Sequence, residues 1–329
     1  MPAQYNMLSN VRSFMKSRVI LTAAELDLFT KLDQNSISAK NLAAMLNLNE
    51  RALTRILDCL ITFELLKKQK NRYQTTEKGA SLSSRHPHSL LPSVQHSLRA
   101  WKNWNHLTAA IKEGTNPLLQ QLSNKSASAE ETKAFIGSMH IGAQRIASKI
   151  SNKYDARSFK RLLDIGAGSG AYTIAFLQKN PQLQCVIYDL AGVIAIAEEK
   201  IRKVQLQNRV TFVAGDYNKD KLPKGCDLAL LSAIIHQNSP QQNLSLFQKI
   251  YDSLEIGGRL LIRDHIMDTN RTSPPMGALF ALNMLVSTAG GDTYTFAEIQ
   301  DNLKIAGFEK VEMLMQGERM DCLVEARKK

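Results

Sequence analysis

From about residue 155 to the end, short apolar runs alternate with segments of helical spacing. RLLDI (161–165), CVIYD (185–189), VTFVA (210–214), LALLSAI (228–234) and RLLIRD (259–264) read as strands. AIAEEKIRKV and NLSLFQKIYDSL read as helices between them, and Gly257-Gly258 is expected to end the second of these before the fifth strand. Helices follow over Gly277–Val286 and from Thr295, and FEKVEML and DCLVEAR close the chain as a strand pair. Alternating strands and helices predict an α/β sheet, here of seven strands with a terminal hairpin.

The first third has a different pattern. Val11 to Leu32 carries apolar faces at Phe14, Val19, Leu21, Leu26, Leu28 and Phe29 with helical periodicity. Ser38 caps a short helix bearing Leu42, Ala43 and Leu46, Asn47–Asn49 turns, and a second helix bears Leu53, Ile56, Leu57 and Leu60. LLKKQ and RYQTT then form two short strands. Helix, turn, helix and hairpin predict a winged helix over residues 1–85. Pro87 and Pro92 bracket a connector, and helices around Val94–Lys112 and Thr132–Ser151, separated by a polar loop at Ser123–Ala129, lead to the second domain. The predicted division is 1–85, a helical connector over 86–154, and an α/β domain over 155–329.

The first strand of the α/β domain ends in a glycine-rich turn, Gly166, Gly168 and Gly170, followed by an apolar helix over Thr173–Gln178. Such a turn presents backbone N–H groups and a helix N-terminus to a ligand, because glycine has no Cβ to hold the ligand away. Gly166, Gly168 and Ala171 also satisfy G-x-G-x-x-A, so a dinucleotide and S-adenosylmethionine both suit the turn. Three acids at successive strand ends favour a cationic, adenosine-bearing ligand. Asp164 can take an ammonium group, Asp189 ribose hydroxyls, and Asp216 an adenine amino group with Tyr217 beside it. Seven strands with a closing hairpin also suit a methyltransferase sheet better than a six-stranded dinucleotide domain.

At 329 residues, 44% hydrophobic and 22% charged, the chain has the composition of a soluble globular protein with room for two cores. No run is long enough to cross a bilayer, and the N-terminus has no signal-like regions. Cys59, Cys185, Cys226 and Cys322 are scattered with no C-x-x-C, which predicts reduced thiols, a cytoplasmic protein and no metal site. The net charge is +12, and residues 1–110 carry 15 Lys+Arg against 7 Asp+Glu. A basic winged helix also suits a ligand-sensing DNA-binding regulator. The recognition segment NERALTRILDCLI, however, has only Arg51 and Arg55 as long basic residues, and phosphate contacts usually need several on one face.

LLDIGAGSG, YDLAGVI, VAGDYN, HQNSPQQNLSLFQKIYDSLEIGGRLLIRDHIMD and ALFALNMLVSTAGGDTYTFAEIQDNLKIAGF together resemble the small-molecule O-methyltransferases. These are typified by caffeic acid and acetylserotonin O-methyltransferases and by bacterial antibiotic-tailoring relatives, and the resemblance covers nearly the whole chain. It implies a Rossmann-like methyltransferase sheet, an N-terminal winged helix that mediates homodimerisation, S-adenosylmethionine as cofactor and a small-molecule acceptor with a hydroxyl group. It places Gly166, Asp189, Leu190, Asp216, Tyr217 and Ser232 at the cofactor, with Asp164, Gly168 and Gly170 in the same turn. His236 falls at the position of the catalytic base and Asp264 at that of an acid beside it. Met139, Met284 and Thr288 fall at acceptor positions, and Phe280 and Asn283 share a helix with Met284.

The sequence departs from the plant enzymes of this family at four places. Gln237 replaces an aspartate, Ser232 a lysine, Asp264 a glutamate and Thr293 a second glutamate, so one carboxylate partner for His236 survives. The fold therefore also allows N- or C-methylation, or chemistry without methyl transfer. Strand alternation is expected to point His265 away from the face of Asp264. Trp101 and Trp104 suit either a flat substrate or a helix contact, and Arg263 is assigned no role beyond pairing with an acid.

Overall fold

A computed structural model describes residues 3–119 and 129–329 of the chain. It divides into two compact units, Met1–Trp101 and Lys102–Lys329. Residues 123–128 of the expected polar loop lie outside the described residues.

The first unit holds α1 (Ala3–Arg12), α2 (Phe14–Glu25), α3 (Leu28–Leu32), α4 (Ala39–Leu46), α5 (Glu50–Thr62) and the short α6 (Glu77–Ala80). The helix expected across Val11–Leu32 is broken: Asp27 adopts a left-handed conformation at φ 54 between α2 and α3. Ser38 and Asn49 cap α4 and α5 by accepting from the N–H groups of Asn41 and Ala52. Strands β1 (Ile37–Ser38), β2 (Leu66–Gln69) and β3 (Arg72–Thr75) form an antiparallel sheet in the order β1-β3-β2. Leu28, Phe29, Leu42, Leu57, Leu60 and Tyr73 fill its core, which is the helix-helix-hairpin arrangement expected of a winged helix.

Helix α7 (Leu91–Trp104) crosses from one unit to the other. The second unit continues with α8 (Leu107–Glu113) and α9 (Ala129–Lys153). Strands β4 (Arg161–Ile165), β5 (Gln184–Asp189), β6 (Val210–Ala214), β7 (Cys226–Ser232) and β8 (Leu254–Asp264) are parallel. A two-stranded parallel bridge of β9 (Ile266–Met267) and β10 (Tyr294–Thr295) follows, and β11 (Glu309–Met315) and β12 (Cys322–Arg327) are antiparallel. The seven-stranded order is β11-β12-β8-β7-β4-β5-β6. Helices α10 (Ala171–Lys179), α11 (Ala191–Lys203), α12 (Pro240–Ser253), α13 (Pro275–Ser287) and α14 (Phe296–Ile305) connect the strands.

Apolar side chains cover both faces of this sheet. Ala229, Leu231, Leu260, Ile262 and Cys322 pack on one side with Phe247 and Ile250 of α12. Leu230, Leu261 and Leu323 pack on the other with Tyr172 and Phe176 of α10 and Ile150 of α9. Consecutive residues of β7, β8 and β12 thus face opposite sides, as strand geometry requires. Gly257-Gly258 does not end α12, which stops at Ser253. The two glycines lie within β8, where the pairing with β7 shifts register. Gly257 has φ 74, and a Cβ on Gly258 would meet the carbonyl oxygens of Glu255 and Asp227. They accommodate a bulge, the other common use of glycine beside a strand.

Candidate active site

β4 runs into the glycine turn with Gly166, Gly168 and Gly170 at φ 66, 57 and 74. Side chains other than glycine are strained in this region. A Cβ on Gly166 would come within 2.5 Å of the Ile234 side chain. The turn is tied to β5 by Asp189, whose two carboxylate oxygens accept from Gly168 N at 2.8 Å and Leu190 N at 2.7 Å. Asp189 thus bridges the turn and the start of α11, while Leu190 beside it is exposed. Tyr217 lies 3.9 Å from the position a Gly166 Cβ would take, so the end of β6 approaches the same turn. Asp216 accepts from Asn218 N at 2.9 Å and pairs with Lys219 at 3.2 Å.

Asp164 lies beneath the turn, 1% exposed, and accepts from the Thr173 hydroxyl at 2.7 Å. Burial pushes its carboxyl up to about 7. It braces strand against helix from inside the fold. The sequence also gave no sign that His140 of α9 would meet the turn, with its Nδ1 2.8 Å from the Ser169 hydroxyl.

β7 ends at Ser232, two residues earlier than expected, because Ala233 turns to φ 59. A short 3-10 turn, Ile235–Gln237, then carries His236. Its Nδ1 lies 2.8 and 2.9 Å from the two oxygens of Asp264 at the end of β8. His236 is 6% exposed and Asp264 1%. Burial works to raise the Asp264 carboxyl, but its interaction and hydrogen bond with His236, the His265 N–H and the Arg263 charge outweigh it and hold it below its ordinary value. An ionised carboxylate can only accept, so Nδ1 donates and Nε2 is left with its lone pair. Thr293 takes no part in this pair. Its hydroxyl donates to the Gly277 carbonyl at 3.4 Å, and Asp292 beside it binds the His236 carbonyl through its N–H at 3.0 Å. The Gln237 side chain donates to Ala233 O at 3.0 Å.

The Phe280 ring of α13 meets His236 edge-on at 5.0 Å between centroids. It also meets His265 at 4.8 Å. The expectation that His265 points away is therefore overturned. β8 stops at Asp264, so the alternation of the strand does not extend to His265. Burial pushes the His265 imidazole down to about 4, and its Nδ1 is buried without a partner.

The other acceptor positions are more scattered. Asn283 accepts from Trp104 Nε1 at 2.9 Å, so Trp104 makes a helix contact. Thr288 donates to Met284 O at 2.8 Å at the end of α13, and Met284 is buried. Met139 is exposed on α9. Arg263 forms no ion pair among the described residues, against expectation, although it is 7% exposed. Its side chain lies on the α10 side of the sheet, with Ser232 and Tyr172. Among the described residues no group of three or more His, Cys, Asp or Glu is placed to hold a metal ion.

Known proteins resemble the chain in sequence and in fold. The O-methyltransferase domain model matches residues 104–309, and the O-methyltransferase dimerisation domain model matches residues 8–85. A 3-hydroxy-5-methyl-1-naphthoate 3-O-methyltransferase from Streptomyces sahachiroi is 28% identical over 307 residues, 90% of this chain and 87% of that protein. Acetylserotonin O-methyltransferase from Gallus gallus is 28% identical over 327 residues, 94% of each chain. The crystal structure of human N-acetylserotonin methyltransferase with S-adenosylmethionine has a TM-score of 0.83 at 24% identity, covering 100% of this chain and 98% of that one.

Proposed function

We propose that this chain, which belongs to the O-methyltransferase family, methylates a hydroxyl group of an apolar aromatic small molecule, with His236 as the base. The His236–Asp264 pair carries the reading. Relatives named for naphthoate and tetracenomycin hydroxyls support an aromatic acceptor, as does Phe280 against His236.

The glycine turn fits S-adenosylmethionine as cofactor. Its three left-handed glycines carry no Cβ, so a ligand can approach the backbone of the turn closely, and Asp189 stands at the strand end beside it. We assign the cofactor to Asp164, Gly166, Gly168, Gly170, Asp189, Leu190, Asp216, Tyr217 and Ser232, and the acceptor to Met139, Phe280, Asn283, Met284 and Thr288. When bound, the cofactor supplies an electrophilic methyl group on its own leaving group. The protein must align the acceptor, exclude water and take up one proton. His236 Nε2 accepts the hydroxyl proton as the oxygen attacks, and Asp264 holds the ring and steadies the cation that forms. Alignment can supply roughly 7–11 kcal/mol of the barrier, and a base adds about 10²–10⁴-fold.

The 8–85 segment supports a C2 homodimer. Free thiols at all four cysteines suit a cytoplasmic enzyme, and no helix among the described residues is long and apolar enough to cross a membrane. We divide the chain by role into 1–85 for dimerisation, 86–154 for connection and acceptor contacts, and 155–329 for the cofactor.

His236→Ala should lower turnover by about 10²–10⁴-fold with cofactor affinity nearly intact. Rates across pH with two acceptors of different acidity test the role. An inflection that stays fixed between acceptors and vanishes in the variant supports the base. One that follows the acceptor pKa in both proteins refutes it.

A further inference from the structure

Three buried polar side chains on the α10 side of the sheet have atoms without hydrogen-bond partners: Tyr172 Oη, Ser232 Oγ and Arg263 Nε. They are 6%, 9% and 7% exposed. Ser232 and Arg263 are direct register partners at the ends of β7 and β8. The Arg263 guanidinium carbon lies 5.8 Å from the centre of the Tyr172 ring. Burial raises the Tyr172 phenol above its ordinary range, while the Arg263 charge and the Ser232 hydroxyl act the other way.

A buried guanidinium normally has an anionic partner, because removing a cation from water is costly. Arg263 makes no ion pair among the described residues, although its charge reaches Asp264 and Asp321. Lys149 pairs with Asp321 at 3.0 Å, and Asp264 is engaged by His236 on the opposite face. The three orphan groups are two O–H and one cationic N–H donor, a set suited to a carboxylate. Their position says which carboxylate. Ile165 pairs with Leu231, so Ser232 stands level with Gly166 at the start of the glycine turn. Tyr172 is in the first turn of the helix that leaves the same turn.

We propose that Arg263, Ser232 and Tyr172 form a carboxylate site that receives the methionyl carboxylate of the bound cofactor. The assignment rests on S-adenosylmethionine as the cofactor. It gives Arg263 the ion pair it lacks and fixes the amino-acid end of the ligand. The sulfonium end is then held at a constant distance from the strand edge.

The test compares S-adenosylhomocysteine with 5′-methylthioadenosine, which keeps the adenosine and thioether but lacks the carboxylate. Titration calorimetry on the full chain measures both. Arg263→Gln should weaken S-adenosylhomocysteine by roughly 10–150-fold, the range of a charge-assisted hydrogen bond, and leave methylthioadenosine within twofold. Tyr172→Phe and Ser232→Ala, which delete one hydroxyl each, should show the same selectivity at several-fold and carry the test if Arg263→Gln does not fold. Equal losses for both ligands, or no loss for either, overturn the proposal. So does unchanged S-adenosylhomocysteine affinity with a raised acceptor KM, which would place an acceptor carboxylate at Arg263. Failure of wild-type protein to bind either ligand would instead overturn the cofactor itself.

Discussion

Asp264→Asn isolates the contribution of the carboxylate to catalysis. Both Asp264 oxygens lie within 2.9 Å of His236 Nδ1, and the group is 1% exposed. The substitution keeps the size of the side chain and removes its charge. A buried charge-assisted hydrogen bond contributes roughly 1.5–3 kcal/mol. At about 1.36 kcal/mol per decade of rate, its loss predicts a fall in kcat of roughly 10–150-fold. The amide can also present its NH2 to Nδ1, which would move the ring proton to Nε2 and leave no lone pair for the acceptor hydroxyl. The loss should therefore fall on kcat, with S-adenosylhomocysteine affinity unchanged. Single-turnover methylation with labelled cofactor measures the step, and calorimetry measures the affinity. A fall of less than about threefold would show that alignment, without Asp264, sets the rate. An equal loss of cofactor affinity would show that Asp264 acts on the fold of the strand end.

Further predictions concern the cofactor edge, the buried acid and the assembly. Asp189→Ala should weaken S-adenosylhomocysteine binding by calorimetry and loosen the turn, since it loses the contacts to Gly168 and Leu190 as well; unchanged affinity would remove Asp189 from the site. Asp164 is raised to about 7 in the folded chain, so its folded form binds the proton more tightly than the unfolded one. The stability it contributes is complete below about pH 4 and is lost as pH rises towards 7. Thermal melts should show Asp164→Asn gaining on wild type between those pH values and running parallel above them; a constant gap would contradict the raised carboxyl. A chain lacking residues 1–85 should sediment as a monomer or aggregate, whereas intact protein sediments as a dimer at micromolar concentration; an intact monomer would count against the assembly.

Features confined to one segment were legible in the sequence. The strands of the α/β domain are continuous apolar runs, and the glycine turn needs only its own residues to be recognised. His236 and Asp264 came from the resemblance to the family, and the structure joins them across 28 positions. What escaped depended on how distant segments meet. Arg263 looked like one charge beside another until the register of β8 against β7 put it next to Ser232. Trp104 and Asn283 are far apart in sequence, and only the packing of helices pairs them. Gly257-Gly258 reads equally as a helix stop or a bulge, because both use glycine for the same backbone freedom. His265 lies one residue beyond the end of its strand, where alternation no longer sets the face.

The bulge at Gly257-Gly258 also sets the phase of everything after it on β8. Arg263 and Asp264 are consecutive letters assigned to opposite sides, one to each end of the same reaction. A substitution at either alters one side and leaves the other in place. Deleting a single residue between the bulge and the strand end would be a frameshift in space: each later side chain would pass through the sheet to the other face. The cation would then face the α12 side of the sheet and the carboxylate would stand beside Tyr172. This stretch of chain can vary in composition, but its length is fixed by parity.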